Sequence, residues 1–343
     1  MAVIKDKKAD IVDVARVAKV SPSTVSRAFN HPELVKGATR KKIDAAVRKL
    51  GYIRNRAAQT IHGIRSGTVG LIVPTIDHTI FGELIQSFSE SIEDFGFTIL
   101  LASHGYSLDR EYALTRKMLE HRVDGVALIG TDHSADTYEL LAQQKIPALL
   151  LWNYDQGAPL PSVGSDNYQA GYLIGEHVAK LGHRDIAGVF PPLGGNDRAA
   201  QRYKGVSDAL QAHGRVIPER WRLETPYSVG AAKQAISELI ASGERPSAIV
   251  CGNDVLAWGA LHALGKEGVQ VPSEITVTGI GDFSGSRDFE PGLTTVRIPA
   301  RTIGAKAAET IASIITSDEP IQSGALYPPE LIVRQTSAKF ENG

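Results

Sequence analysis

Two periodicities divide this chain. Near its start apolar side chains recur every three or four positions. Ile11, Val14, Ala15 and Ala18 fall at i, i+3, i+4 and i+7, one stripe of a short helix, and Asp10 stands where that helix needs an N-cap. Ser21-Pro22 predicts a second start, a hydroxyl cap followed by proline where no N–H is missed. In that second helix Val25, Ala28 and Phe29 point inward, while Ser23, Thr24, Ser26 and Arg27 point outward. A third helix over 38–50 turns Ile43, Val47 and Leu50 inward and stops at Gly51, a residue suited to the C′ position. With Lys19-Val20 as the turn, this is an all-α helix-turn-helix head braced by a third helix. A plain three-helix bundle has the same pattern.

From Thr68 onward apolar runs alternate with amphipathic stretches. Strands are predicted at 69–73, 97–101, 125–129, 148–152, 186–190, 248–251 and 275–280, and helices at 81–95, 108–121, 168–181, 198–213, 229–240 and 254–268. Such alternation predicts parallel sheets with right-handed crossovers, and so many units predict two doubly wound lobes. Between head and body, 55–62 has Asn55 as a potential N-cap and length for one or two turns, too short to be stable alone. Gly63 and Ser66-Gly67 would equally serve a plain linker.

Charge changes this picture. Residues 1–66 hold 15 Lys and Arg against 5 Asp and Glu, whereas the rest hold 22 against 33. The whole-chain value of −1 hides a basic head on an acidic body. A basic head calls for a polyanion, and a helix-turn-helix specifies double-stranded DNA. Arg16, Lys19, Lys36, Arg40, Lys41 and Lys42 are the phosphate-neutralising candidates.

Composition excludes other classes. An apolar content of 43% rules against global disorder. The one cysteine, Cys251, excludes an intrachain disulfide framework and any multi-cysteine metal site, and its apolar neighbours predict burial. The start of the chain is charged and lacks the apolar core of a secretory signal, and no run approaches the ~20 apolar residues needed to cross a bilayer. The expectation is a cytoplasmic protein with no membrane partner.

The head also carries a specific pattern. Asp13-Val14-Ala15-x-x-Ala18-x-Val20-Ser21-x-x-Thr24-Val25-Ser26-Arg27-x-x-Asn30, continued by Thr39-Arg40 and Leu50-Gly51-Tyr52-x-x-Asn55, resembles the lactose-repressor/galactose-repressor (LacI/GalR) family of bacterial transcription regulators. The similarity runs the length of the chain. It implies an N-terminal head at 1–54, a hinge helix and linker at 55–67, and an effector-binding, dimerising body at 68–343 of the type I periplasmic-binding-protein fold. Lobe one is expected at about 68–180 and 297–324, and lobe two at about 181–296 and 325–343.

The resemblance implies that Pro22, Ser23 and Arg27 hold the base-reading positions. Proline offers no donor and serine pairs with any base, so Arg27 carries the direct readout, with guanine as its best partner. Ser21, Thr24, Ser26, Asn30, Tyr52, Asn55 and Ala58 complete the implied DNA-contacting set. Ile61 takes the place of the family's minor-groove leucine, a wedge that kinks the duplex. In the body the implied effector contacts are Ile80, Phe81, Trp152, Asn153, Asp166, Arg198, Arg202, Asn253 and Asp282. The partners implied are a near-palindromic operator, a second copy of the chain and a small-molecule effector. No cofactor or metal is called for.

Three positions depart from the family. Lys19 stands where the turn usually has glycine, so a positive φ would be strained. Arg54 replaces a proline before Asn55 and adds a charge able to reach phosphate. Gly279-Ile280-Gly281-Asp282 has glycine where many members carry a ligand-binding aspartate, with Asp282 one place later. A missing carboxylate beside two arginines favours a sugar acid or sugar phosphate over a neutral sugar, the alternatives being that Arg198 faces solvent or pairs near Asp197 and that Arg202 serves a structural ion pair.

Two other classes of function compete. An α/β enzyme should show a phosphate-binding glycine loop, a nucleophile elbow or a metal-binding histidine pair, and the sequence has none of these. His183, in Leu181-Gly182-His183-Arg184, reads as a loop hydrogen-bonder rather than a base. A secreted solute-binding protein would share the body, but the basic head and the charged N-terminus oppose it. No leucine heptad follows 330–335, which predicts a dimer rather than a tail-assembled tetramer.

Overall fold

The computed structural model describes residues 8–54, 65–77, 79–317 and 324–340, with 79 and 80 as backbone alone. The chain forms two compact units, Met1–Ser66 and Gly67–Gly343.

In the first unit α1 (Ile11–Ala18), α2 (Pro22–Asn30) and α3 (Gly37–Leu50) surround Val14, Ala15, Ala18, Val25, Ala28, Ile43 and Ala46. The Asp10 carboxylate accepts from the Val12 and Asp13 amides, and Asp13 accepts from the Asp10 amide, forming a capping box. Lys19 ends α1 in the left-handed conformation, φ 56° and ψ 48°, so the strain expected of a non-glycine turn is present. Ser21 caps α2 through Thr24 N at 3.2 Å, with Pro22 at the first helical position. Gly51, φ 59°, closes α3.

The second unit runs β1 (Thr68–Val73), α4 (Thr79–Glu93), β2 (Thr98–Ser103), α5 (Leu108–Glu120), β3 (Gly125–Ile129), α6 (Ala135–Gln144), β4 (Ala148–Asn153), β5 (Ser162–Ser165), α7 (Asn167–Lys180), β6 (Ile186–Phe190), α8 (Asp197–Ala212), β7 (Arg222–Glu224), α9 (Val229–Ala241), β8 (Ala248–Cys251), α10 (Asp254–Lys266), β9 (Thr276–Gly281), β10 (Thr294–Arg297), α11 (Ala300–Thr316), β11 (Ala325–Leu326) and β12 (Glu330–Ile332). All seven expected strands form, together with five others of two to four residues, and α6 and α11 join the six expected helices.

Two six-stranded sheets result, ordered β11-β5-β4-β3-β1-β2 and β12-β10-β9-β8-β6-β7. Every pairing is parallel except β10 with β12. Each sheet reverses its winding at the first strand of its lobe, which opens a crevice at the strands' carboxyl ends.

Lobe membership differs from expectation at two places. Helix α7 packs on α8 and on the second sheet, so the chain crosses to lobe two at Asp166 rather than near 180. Strand β11 pairs with β5, which keeps 325–326 in lobe one. The cause of the first is steric. A Cβ on Gly205 would lie 2.0 Å from the Tyr168 carbonyl oxygen, and one on Gly171 2.0 Å from that of Arg202. Glycine at both positions lets α7 and α8 meet backbone to backbone.

Candidate functional site

The first unit presents one chemically distinct face. Pro22, Ser23 and Arg27 are exposed along α2, while Val25 and Ala28 are buried beneath them. The hydroxyls of Ser23 and Thr24 each lie 2.8 Å from that of Ser21, which orders the start of the helix. Arg16, Lys19, Lys36, Arg40, Lys41 and Lys42 are all exposed.

The far end of α2 is engaged internally. Asn30 donates to Ser26 Oγ at 3.3 Å and accepts from Arg54, whose guanidinium lies over the Phe29 ring at 5.6 Å. Arg54, expected to reach toward phosphate, therefore braces the reading helix. Tyr52 is half-buried against Phe29, its ring centre 6.2 Å away. Burial raises the Tyr52 hydroxyl above its ordinary value, against the opposing pull of Arg54. Asn55, Ala58 and Ile61 lie outside the described residues.

In the second unit the crevice collects side chains from both lobes. Phe81 comes from the first turn of α4, Tyr106 from the loop after β2, and Trp152 from the end of β4. Lobe two supplies Arg198 and Arg202 from α8, Tyr227 after β7, Asn253 at the cap of α10, and Phe283 after β9. Together they line a cavity of about 20 Å³. In front of it Tyr106 and Tyr227, 6.2 Å apart, share a mouth of about 210 Å³ with Pro191, Pro192 and Pro226. Trp152 sits at φ 76° and Tyr106 at φ 62°, strained for residues with side chains.

Hydrogen bonds fix the two arginines. Arg202 is buried and donates from Nε to Asn167 Oδ1 at 2.8 Å and from Nη1 to Gly252 O at 3.0 Å. Burial pulls its pKa below the ordinary value, yet a guanidinium stays charged. Arg198 Nη1 lies 2.8 Å from Asp197 Oδ1. Burial pushes the Asp197 carboxyl up, but the Arg198 guanidinium and the hydrogen bonds from Thr131 and Arg198 outweigh it and hold it below the usual range. Among the described residues the Nε1 of Trp152 finds no hydrogen-bond acceptor, although it is buried.

Of the residues implied by resemblance, Phe81, Trp152, Arg198, Arg202 and Asn253 line the cavity. Asn153 stands behind them, donating to Asp197 Oδ2 at 2.7 Å and accepting from Asn167 at 2.8 Å. Asp166 caps α7 through Gln169 N at 2.8 Å. The side chain of Ile80 lies outside the described residues.

Asp282 is placed differently from expectation. Its carboxylate is taken by Arg334 Nη2 at 2.6 Å and Arg297 Nε at 2.8 Å, and it does not line the cavity. The reason is visible one residue earlier: a Cβ on Gly281 would fall 1.9 Å from the Phe283 ring, which fills that corner instead. The Phe283 loop is tied down by buried Asp254, which accepts from Phe283 N at 2.9 Å, Ser286 Oγ at 2.6 Å and Thr295 Oγ1 at 2.5 Å. Tyr106, Tyr227 and Phe283 carry no sequence signal of their role, since aromatic residues in loops have no periodicity to betray them.

Comparison with known proteins fits this architecture. Residues 10–55 match the bacterial regulatory proteins of the lacI family, and residues 66–332 match the periplasmic binding proteins and sugar binding domain of the LacI family. The chain belongs to the LacI family. Among its LacI-family relatives, the HTH-type transcriptional repressor PurR of Erwinia tasmaniensis is 30% identical over 333 residues, 96% of this chain and 97% of that one. Catabolite control protein A of Priestia megaterium is 29% identical over 327 residues, 95% of this chain and 98% of its own. The lac repressor dimer bound to operator and the anti-inducer ONPF superposes with a TM-score of 0.85 at 26% identity, covering 97% of this chain and all of that one. The first and third of these are repressors by name. Among the described residues no helix is long and apolar enough to cross a membrane.

Proposed function

We propose that this LacI-family chain is a sequence-specific DNA-binding repressor, acting as a homodimer on a near-palindromic operator and governed by a small anionic effector. The observation that carries this is the exposed Pro22, Ser23 and Arg27 face of a doubly capped helix pair, set among six exposed cations. Arg27 reads guanine, and the cations neutralise phosphate. Asn55, Ala58 and Ile61 complete the DNA-contacting set, with Ile61 as the minor-groove wedge.

The effector reading rests on the crevice. Two guanidinium groups and the Trp152 Nε1, unpaired among the described residues, border it; among those residues no carboxylate lines it, and Asp282 is bound to arginines elsewhere. A donor-rich, carboxylate-free cavity suits a sugar acid or sugar phosphate better than a neutral sugar. The ligand would act by changing the angle between the lobes.

The test begins with selection of a preferred duplex from a random library by the full chain, followed by titration of Arg27→Ala. Loss of Arg27 should weaken the selected duplex about 5- to 150-fold, the equivalent of about 1–3 kcal/mol of base discrimination. Affinity for random DNA should fall only slightly. Binding of both duplexes should drop steeply with salt. Equal weakening on both duplexes would remove Arg27 as the reader, and no selected sequence at all would remove the regulatory reading.

A further inference from the structure

Among the described residues, five hydrogen-bond donors gather around one of the body's own carboxylates. Asp197 Oδ2 accepts from Thr131 N at 2.8 Å, Thr131 Oγ1 at 3.1 Å and Asn153 Nδ2 at 2.7 Å. Its Oδ1 accepts from the Arg198 amide and from Arg198 Nη1, each at 2.8 Å. Thr131 and Asn153 belong to lobe one, whereas Asp197 and Arg198 open α8 of lobe two. Five donors from two lobes therefore converge on one charge. Lobe one is shaped to this pair: a Cβ on Gly130 would lie 2.6 Å from Arg198 Nη1 and 3.1 Å from Asp197 Oδ2.

We propose that this is an anion-binding site occupied by a tethered carboxylate, and that a free carboxylate or phosphate enters the crevice by exchanging with Asp197. Arg198 lines the central cavity, so an incoming anion meets a guanidinium whose present partner is Asp197. The cavity, about 20 Å³, holds no more than a water molecule, so a ligand of several atoms requires the lobes to part. Displacing Asp197 does both things at once. The donors of Thr131, Asn153 and Arg198 pass to the ligand, and the one carboxylate that they share across the crevice is released. Ligand charge and lobe movement are thereby coupled through a single side chain. A neutral ligand would leave the Asp197 bridge in place.

This inference rests on the anionic-effector reading, and its test separates the two. The probes are gluconate, inorganic phosphate and glucose, titrated by calorimetry into the full-length chain and into Asp197→Ala, with Asp197→Asn as a shape-conserving second variant. Hydrogen exchange of the Thr131 amide is followed without any probe. Removing an internal competitor raises the fraction of competent sites, so gluconate and phosphate should bind about tenfold or more tightly. In Asp197→Ala, where its acceptor is gone, the Thr131 amide should exchange at least about tenfold faster. Glucose affinity should not change. Exposed Asp132→Asn, which removes a neighbouring charge but no bridge, should leave anion affinity within about twofold, since exposed charges are well screened.

If the anions bind the wild type and the Asp197 variants alike, or bind the variants more weakly, the exchange is overturned and the anionic-effector reading survives. Unchanged Thr131 exchange overturns the bridge. If phosphate alone tightens and gluconate never binds, the anion site stands and the sugar-acid reading falls. If neither anion binds any form, both are overturned.

Discussion

Lys19 shows how one side chain can set local strain against function. Its backbone is left-handed, at φ 56°, where a Cβ costs roughly 1–2 kcal/mol. Glycine escapes that cost but loses more entropy on folding, so Lys19→Gly should stabilise the head by up to about 1 kcal/mol. It should also lower the slope of log affinity against log salt by about one, the loss of a single phosphate contact. Urea unfolding and gel shifts over a salt series measure the two effects, and a fall in stability would mean that the lysine stem makes a favourable contact in the turn. Individual side chains were unevenly legible from sequence. Arg202 sits in a recognisable Arg-Tyr-Lys-Gly string, whereas Asp282 was misplaced because a single glycine at 281 hands its corner to Phe283. The role of Asp197 depends on Thr131 and Asn153, distant in sequence, and no local pattern could announce it.

The packing of α7 against α8 does for secondary structure what caps do for single helices: it fixes a register. Asn167 opens α7 and holds Arg202 of α8 at 2.8 Å, so the spacing of the two helices sets the depth of the guanidinium. Gly205→Ala would press a methyl group into the Tyr168 carbonyl, 2.0 Å from its oxygen. The expected cost is about 1–3 kcal/mol, as for other overpacked interiors, together with weakened binding of anionic probes as Arg202 shifts. Urea titration and calorimetry would show it, and wild-type stability would mean that the helices separate freely. Periodicity revealed the long strands and most helices, because burying one stripe or one run leaves a mark on the residues themselves. It did not reveal that α7 serves lobe two or that β11 lies beside β5, since pairing partners are chosen by the assembled sheet. Strands of two or three residues, such as β7 and β11, are too short to carry a period at all.

Across the whole molecule, buried titratable groups make stability depend on pH. Burial pulls His104, His177 and His183 below the ordinary histidine value, with Glu111 partly opposing this at His104 and the Ala338 carbonyl at His183. His177 and His183 also fasten the end of the chain, through Ser337 Oγ at 3.0 Å and Ala338 O at 3.1 Å. A depressed folded-state pKa means that the unfolded chain takes up protons first. The contribution is therefore complete above about pH 6.5 and is lost as pH falls below it. Asp197, also depressed, adds a second loss below about pH 4, the ordinary carboxylate region. The melting temperature of the second unit should hold above about pH 6.5 and decline toward pH 5, and His183→Gln should flatten the decline. A flat profile would refute this assignment.

The chain passes between the lobes three times, at Asp166, between β10 and α11, and between β11 and β12. Strands β5 and β11 lie together at the margin of one sheet, and β10 and β12 at the margin of the other. A door hung by three straps along one side can swing but cannot shear or spin. If a small molecule works the crevice as proposed, these crossings steer its effect into a swing of one lobe against the other.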